Sequence, residues 1–381
     1  MKADNVYEAS LVSSLDSVDE GDWQRLAGGS PFMSFKFLKL MQDSGCVDAR
    51  KGWLPQYVLV HQDGRLVAAS TCYVKSHSRG EFVFDQGWAE AFERHGLSYY
   101  PKLLVASPFT PVQGPRLLAQ DNDARLALVQ ALLTITQQAD ASSVHVLFVE
   151  DTDREALQGC GFMVRESVQF HWRNDDYWNV DAFLAQLSHD KRKKIRQDGK
   201  YVAQAGIEYV ALGGQELTSE HIEFFYSCYT NTYSEHWSTP YLSLEFFKEA
   251  HRTRALDFVL ILAQRGGKPV ACALNVRGQG ALYGRYWGTT EFVKGLHFET
   301  CYMQSIAYCI EHGIEYFEGG AQGQHKMARG LMPTKTYSAH FVADRRFAEA
   351  IEDFLEQETQ AVDEYVEGLE SSSPFKSSEP S

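Results

Sequence analysis

One stretch of the sequence sets glycine, histidine and basic residues directly after a short predicted strand. The strand is residues 314–318, and the stretch continues to Gly330. In open α/β sheets, ligand sites collect beyond the carboxyl ends of the strands, where glycines let the backbone approach a ligand. The imidazole of His325 can act as a general base near neutral pH, and Glu318 could do so if burial raised its pKa. A glycine-rich connection with surface charges is the alternative interpretation.

A basic segment, residues 188–200, is the second candidate. It contains six lysines and arginines and two aspartates, within a chain whose formal net charge is −14. If the segment is helical, Arg192 and Arg196 lie on one face, because residues four apart on a helix are neighbours. Arginine can grip phosphate oxygens with two parallel hydrogen bonds, so this face could bind a phosphorylated ligand. The alternative is a solvated helix face without a ligand.

A third segment combines a strand end, residues 284–288, with a helix start, residues 294–299. A strand followed by a glycine turn and a helix N-terminus can hold a phosphate group. The segment lacks a complete phosphate-loop or dinucleotide-binding pattern, so its aromatic residues also fit ordinary packing. The candidate pocket residues here are Arg285, Tyr286, Trp287, His297 and Glu299.

The elements that must position these residues recur along the chain. In the first half, two strands flank Asp63 and Gly64, a strong hairpin signal, and an amphipathic helix at residues 124–139 precedes a buried strand. In the second half, a hairpin surrounds Gly266 and Gly267, and a helix at residues 298–311 precedes another short strand. The recurrence predicts a duplicated α/β fold in which each half has a mixed central sheet flanked by helices.

We place an N-terminal domain at residues 1–165 and a C-terminal domain with most of the site at residues 166–362. An acidic, serine-rich tail at residues 363–381 is expected to be disordered. Local patterns also predict a helix over residues 32–41, a short strand over residues 81–84 and a rigid proline-rich loop over residues 107–116.

Composition narrows the class of protein. The 381 residues are 44% hydrophobic, which suits a globular chain with a large core. The acidic balance argues against general nucleic-acid binding, and we expect no DNA partner. Seven cysteines without a paired spacing predict reduced thiols and no metal site. No signal segment or apolar run of ~18 residues occurs, so we expect a cytoplasmic protein without a transmembrane helix.

Several motifs occur in one order along the chain. In the first half they are residues 74–78, 83–85, 99–103, 108–111 and 114–118; in the second they are residues 170–172, 191–193, Ile195-Arg196, 297–299 and 336–340, with Phe317-Glu318, Gly320-Ala321-Gln322-Gly323, His325-Lys326 and Ala328-Arg329-Gly330. With these motifs the chain resembles the FemAB-like family, labelled peptidoglycan biosynthesis/recognition and grouped with N-acyltransferases of the GNAT superfamily. Gly319, Gln324 and Leu331 stand where proline, glutamate and phenylalanine are expected, so position 324 lacks the expected carboxylate.

The resemblance implies tandem GNAT-like domains in a Fem-type arrangement, and transfer of an acyl group to an amine. The donor would be acyl-CoA or aminoacyl-tRNA as co-substrate, with no permanently bound cofactor and with tRNA as a possible partner. The acceptor would be a small-molecule or peptide amine. Three functions stay open: a small-molecule N-acyltransferase, a tRNA-dependent aminoacyl transferase, and a non-catalytic binding protein. The sequence leaves the acceptor and the oligomeric state undetermined.

In this interpretation Glu318 or His325 takes the proton of the acceptor amine, directly or through water. Backbone N–H groups stabilise the oxyanion where the central strands part. The residues expected to bind donor phosphates are Arg192, Arg196, Lys326 and Arg329. The matching motifs add Gln322 and His340 to the candidate pocket residues.

Overall fold

The computed structural model describes residues 6–235, 237–320 and 323–376. Its strands are β1 (Tyr7–Val12), β2 (Trp53–Gln62), β3 (Arg65–Lys75), β4 (Lys102–Val105), β5 (Leu118–Ala119), β6 (Ser143–Val149), β7 (Met163–Arg173), β8 (Ile207–Gly213), β9 (Asp257–Arg265), β10 (Lys268–Arg277), β11 (Ala281–Thr289), β12 (Tyr316–Glu318) and β13 (Met332–Val342). Its helices are α1 (Glu20–Ala27), α2 (Phe35–Asp43), α3 (Gln86–Arg94), α4 (Asn122–Gln138), α5 (Asp151–Gly159), α6 (Val180–Gln186), α7 (His189–Gln204), α8 (Ser219–Glu235), α9 (Leu244–Thr253), α10 (Leu296–Phe298), α11 (Gln304–Glu311) and α12 (Arg345–Glu370).

These elements form two compact units, each made from two segments of the chain. The first unit contains the described residues up to Ser167 together with Lys335–Glu364, and the second contains Val168–Thr334 and the residues from Tyr365 onward. The sequence-based boundaries differ from this division, because they assign residues 335–362 to the second domain. The structure joins most of β13 to the first unit through antiparallel pairing with β6.

The first unit has a sheet in the order β1-β2-β3-β4-β6-β13. Strands β4 and β6 are parallel, and the other neighbours in this order are antiparallel. Helix α4 covers the sheet with the apolar face that its sequence pattern predicts, including Leu128 and Leu132, which are fully buried. Helix α12 contributes Phe347, Ile351 and Leu355 to a second buried cluster in this unit.

The second unit repeats the same strand order as β8-β9-β10-β11-β12-β7. Strands β11 and β12 form its parallel pair, and the other neighbours are antiparallel. Phe317 of β12, Trp172 of β7 and Leu282 of β11 form its core together with Ile306 of α11. The structure therefore confirms the predicted α/β fold with a mixed sheet and flanking helices in each half.

Three local predictions need correction. Residues 81–84 form no strand; they belong to a loop whose Glu81 side chain turns inward to Lys102. The first predicted helix starts later, at Phe35, because Ser34 caps it by accepting a hydrogen bond from the Phe37 amide. The predicted disordered tail is helical in α12 up to Glu370.

After α12, the chain is tied to the second unit. The Ser188 amide donates to the Pro374 carbonyl at 2.8 Å, and the Lys376 amide donates to the Gln186 carbonyl at 2.9 Å. Residues 377–381 of the predicted tail lie outside the described residues.

Helix α8 packs closely against β11 at Gly288, which gives a stability prediction. A Cβ atom at position 288 would lie 2.5 Å from both the Cβ and the carbonyl oxygen of Cys228, so α8 would have to move. We expect Gly288→Ala to lower the free energy of unfolding by about 1–3 kcal/mol, as measured by urea denaturation. Gly87→Ala in α3 is the control, because a Cβ there meets no atom within 4 Å. Equal stability of both variants would contradict the prediction.

Candidate active site

The second unit opens where its two parallel strands part. Strands β11 and β12 pair only from Ala281 with Tyr316 to Tyr283 with Glu318. Strand β11 then continues to Thr289, and among the described residues no strand pairs with this edge beyond Tyr283. Backbone N–H groups on a free strand edge are suited to stabilise a developing oxyanion.

A β-bulge lies at the same point of the sheet. Asn275 of β10 is opposite Gly284, whereas the preceding Leu274 is opposite Tyr286, so Arg285 is the extra residue on β11. Such bulges often lie beside active sites, because they change the direction of a side chain. Gly284 is required here, since a Cβ at this position would lie only 3.1 Å from the Glu318 carbonyl oxygen.

The parted strands border a cleft of about 110 Å³. Four of the predicted pocket residues line it: Arg285, Tyr286, Trp287 and His297. The other described residues that line it are Ala273, Leu274, Asn275, Gly284, Cys301, Tyr302, Phe317, Gly319 and Gly320. Sequence reasoning missed Asn275, Cys301 and Tyr302, which follow the apolar pattern of ordinary core residues.

His297 provides an uncharged imidazole inside the cleft. Its ring lies 5.1 Å from that of Trp287 and 5.7 Å from that of Tyr302, measured between centroids. The pKa of His297 is lowered to about 4, mainly by burial, and His325, Lys326 and Arg329 contribute in the same direction. The imidazole is therefore neutral at pH 7 and can accept a proton.

His325 reaches the cleft through Tyr302. Its Nε2 atom lies 3.5 Å from the Tyr302 hydroxyl, and its exposed ring lies 5.6 Å from the ring of Phe298. Partial burial lowers the pKa of His325, and the positive charge of Lys326 acts in the same direction. Neither residue predicted as a catalytic base lines the cleft, but His325 contacts the side chain of Tyr302, which does.

Lys326 and Arg329 are buried and already have partners. The Lys326 ammonium donates to the Gly320 carbonyl at 2.7 Å, and burial lowers its pKa to about 8. The Arg329 guanidinium forms an ion pair with Asp198 at 2.7 Å and lies 3.8 Å from the centroid of the Phe298 ring. Both side chains hold the segment that carries His325 in place, and neither presents a free cation to a phosphate.

A family model described as FemAB-like, peptidoglycan biosynthesis/recognition, matches residues 14–377. The chain belongs to the FemAB-like family. The family and its fold support a transferase role of the acyltransferase type, without specifying the donor or the acceptor.

Solved structures resemble the FemAB-like chain in fold. The crystal structure of FemX is 11% identical, with a TM-score of 0.56 over 91% of this chain and 100% of that one. The C-terminal domain of a putative lysylphosphatidylglycerol synthetase from Agrobacterium fabrum is 9% identical, with a TM-score of 0.53 over 88% and 95% of the two chains. L-PGS from Bacillus licheniformis is 10% identical, with a TM-score of 0.52 over 91% and 97%. No curated protein matches the chain.

Two arginines of α7 have partners in or next to α6 of this FemAB-like protein. Arg192 donates to the Leu187 carbonyl at 3.1 Å, so it caps the end of α6, and Arg196 pairs with the exposed Asp181 at 3.2 Å. Both arginines thus have partners within the second unit, and their role in binding donor phosphates stays a prediction. Helix α7 meets the site with Asp198, which lies about half a helical turn from Arg196. A single aspartate in a basic segment gave no sequence signal for this role.

Two predicted acidic residues are near the site but do not line the cleft. Glu318 follows Phe317 on β12, and successive strand side chains point to opposite faces. Phe317 lines the cleft, so the buried Glu318 lies on the other face, where His171 of β7 is its cross-strand partner. Glu299 accepts a hydrogen bond from Gln304 at 2.8 Å, and burial raises its pKa.

The two remaining predicted pocket residues are outside this site. His340 belongs to the first unit, where it is buried and its Nδ1 atom lies 2.7 Å from Nδ1 of His145. Its assignment as a pocket residue is therefore corrected: it is part of a polar network inside the first unit. Gln322 lies outside the described residues.

In the first unit, the corresponding opening between parallel strands is filled. The proline-rich loop places Gly114 beside Val149, just beyond the pairing of β4 with β6. The buried Arg116 donates to the Leu147 carbonyl at 2.8 Å, and its backbone amide donates to Asp153 at 2.7 Å. The first unit also has a groove of about 520 Å³, whose described lining residues include no histidine, cysteine or lysine. Of the two openings between parallel strands, the one in the second unit is open, and it is lined by the titratable imidazole of His297.

The described part of the chain has neither a cluster of metal-binding side chains nor a helix suited to cross a membrane. Residues 6–235, 237–320 and 323–376 contain no group of three or more histidine, cysteine or acidic side chains that could hold a metal ion. The helices described for this chain include none long and apolar enough to cross a membrane.

The ion pair between Asp198 and Arg329 yields a second stability prediction. Asp198→Asn leaves the guanidinium of Arg329, which is 4% exposed, without its charged acceptor. We expect a loss of about 2 kcal/mol and faster hydrogen exchange in residues 324–330. The matched control is Asp181→Asn, which removes an exposed partner of Arg196 and should change stability by less than about 1 kcal/mol. Unchanged exchange in residues 324–330 would show that the pair does not anchor this segment.

Proposed function

We propose that this protein is an N-acyltransferase whose reaction takes place in the cleft of the second unit. It transfers an acyl or aminoacyl group from an activated donor, acyl-CoA or aminoacyl-tRNA, to an amine of a small molecule or peptide. The observation that carries the proposal is the parting of β11 from β12 after three residue pairs, beside the neutral imidazole of His297. A cytoplasmic location and the absence of a permanently bound cofactor are part of the proposal.

The mechanism follows from the positions of these groups. The donor carbonyl enters the cleft with its oxygen directed at the free edge of β11, where N–H groups stabilise the oxyanion. The neutral acceptor amine attacks the carbonyl carbon, and His297 accepts the proton that the nitrogen loses when the C–N bond forms. Collapse of the intermediate breaks the C–S bond of a thioester or the C–O bond of an ester. The same proton then passes from His297 to the leaving sulfur or oxygen.

His297 replaces Glu318 as the proposed base, because Glu318 lies on the other face of the sheet. His325 stays in the proposal as a second imidazole that contacts the reacting groups through the Tyr302 hydroxyl. The donor phosphates are assigned to exposed lysines of α7 in place of the engaged arginines. Lys193, Lys194 and Lys200 are exposed, and no ion pair involves them among the described residues.

The test uses both donor classes. Purified protein is titrated with acetyl-CoA and with a mixed aminoacyl-tRNA pool, and each mixture is then incubated with a panel of amines. Mass spectrometry of a new amide, formed from either donor and only with active protein, supports the proposal. Saturable binding without any amide favours the non-catalytic binding protein. Failure of both donors to bind or react overturns the proposed function.

A further inference from the structure

The cleft of the second unit is small enough to limit the acyl group. Its volume is about 110 Å³. An apolar protein cavity of about 150 Å³ is known to bind benzene, which has six heavy atoms. The space between β10, β11, β12 and the helical residues 297–302 therefore accommodates an acyl group of about four heavy atoms, which is a two- or three-carbon chain with its carbonyl oxygen.

The inner wall of the cleft is apolar. Ala273, Leu274 and Phe317 are each less than 5% exposed, and they line the cleft beside Cys301. Burial raises the pKa of the Cys301 thiol, so this side chain is a neutral thiol at physiological pH. Such a wall accommodates methyl and methylene groups without loss of hydrogen bonds.

The charge around the cleft disfavours a second cation. Among its described lining residues there is no carboxylate, and the one formally charged residue is Arg285. The charged groups that lower the pKa of His297 beyond the effect of burial are His325, Lys326 and Arg329, all of them cationic when protonated. An aminoacyl group brings an α-ammonium, which would need an acceptor or a negative partner at this depth.

We infer that the acyl group transferred in this cleft is short and uncharged, of the acetyl to propionyl class, and is not an aminoacyl group. The inference rests on the proposed function and narrows it. It concerns the group that enters the cleft, and the carrier of that group is a separate question. Size and charge act independently, so each can be tested with its own pair of donors.

Propionyl-CoA and glycyl-CoA form a matched pair for the charge. Their acyl groups each contain four heavy atoms, and only glycyl carries an ammonium. Isothermal titration of the full-length protein should give a Kd at least about 10-fold lower for propionyl-CoA. Hexanoyl-CoA tests the size, and its Kd should also be at least about 10-fold higher than that of propionyl-CoA. Equal or tighter binding of glycyl-CoA or hexanoyl-CoA overturns the inference.

Substitution of Arg285 tests the origin of the selectivity. Arg285→Glu places a carboxylate at the rim and should reduce the preference for propionyl-CoA over glycyl-CoA by about 5-fold or more. Arg285→Gln removes the cation without adding an anion and should have a smaller effect. If both variants keep the full preference, the charge argument is wrong. The comparison of donors on the unmodified protein stays decisive even if either variant folds poorly.

Failure of the inference can be told apart from failure of the proposed function. If no thioester binds but an aminoacyl-tRNA is retained and yields an amide, the inference is overturned and acyl transfer stands. If neither donor class binds, both are overturned.

Discussion

Replacing His297 by glutamine should lower the turnover number of acyl transfer by about 10²- to 10³-fold. Glutamine has a similar size and can still form hydrogen bonds, but it cannot take a proton from the attacking amine. The Michaelis constant of the donor should change less than about 3-fold, because the carbonyl still meets the free edge of β11. Steady-state kinetics with whichever donor forms an amide provides the measurement.

His312→Gln is the matched control for this substitution. His312 follows α11 in the same unit, is exposed, and hydrogen-bonds the Tyr308 carbonyl at 2.9 Å outside the cleft. Its turnover number should equal that of the unmodified protein. If the two variants were equally active, His297 would not be the base, and His325→Gln would become the next substitution to test.

The pH dependence gives a second measurement on His297. Its pKa is about 4 in the folded protein and is lowered by burial from an ordinary value of 6.5. Between these two values the unfolded chain binds more protons, so the contribution of His297 to stability is present above pH 6.5 and is lost as the pH falls towards 4. The stability advantage of the unmodified protein over His297→Gln should therefore shrink over this range. A plot of turnover against pH should show no imidazole limb near 6.5.

Local sequence patterns predicted the elements of both units well. The turn residues Asp63-Gly64 and Gly266-Gly267 fixed the two hairpins, now β2–β3 and β9–β10, because such turns admit few conformations. The glycine-rich motif follows β12 at the point where β11 and β12 part. Local patterns carry no information about which distant strands pair. Nothing in the sequence of β13 indicates that it pairs with β6, which lies in the other half of the chain.

Side-chain direction explains the errors within the site. The position of Glu318 at a strand end suggests a catalytic base. Its neighbour Phe317, however, is a core residue that lines the cleft. Because successive side chains of a strand point to opposite faces, Glu318 points to the other face. The spacing of Arg192 and Arg196 correctly placed them on one side of α7. It could not show that α6 would supply carbonyl and carboxylate partners for that side. Partners from another element are a property of packing, and a single sequence carries little information about them.

The polar network of the first unit should produce the largest change in stability. The Lys102 ammonium is fully buried and donates to Ser78 and Glu81, each at 2.7 Å, and to Asp85. Burial, the largest single influence, would raise the pKa of Asp85, but Lys102, His145 and Ser78 together hold that pKa below its usual range. Lys102→Met removes this cation and leaves two buried carboxylates facing each other. We expect a loss of about 3–5 kcal/mol.

Hydrogen exchange of the β4 and β6 amides measures this loss within the first unit. A change of that size accelerates exchange by about two to four orders of magnitude. Lys51→Met is the control, since Lys51 is exposed and should give less than about 0.5 kcal/mol. Exchange as slow as in the unmodified protein would mean that Lys75, which lies 3.6 Å from Glu81, is sufficient to balance the carboxylates.

A double variant separates charge balance from the need for specific hydrogen bonds. Lys102→Met combined with Asp85→Asn leaves Glu81 beside Lys75 as the one buried carboxylate of this pair, and it should recover more than half of the stability lost by Lys102→Met alone. Recovery would mean that the loss comes from uncompensated buried charge. Without recovery, the hydrogen bonds from Lys102 to the loop at residues 78–85 are what hold the first unit together. The hydrogen bonds of Lys102 would then be what holds the loop in one conformation, although its Phe82 and Phe84 are exposed.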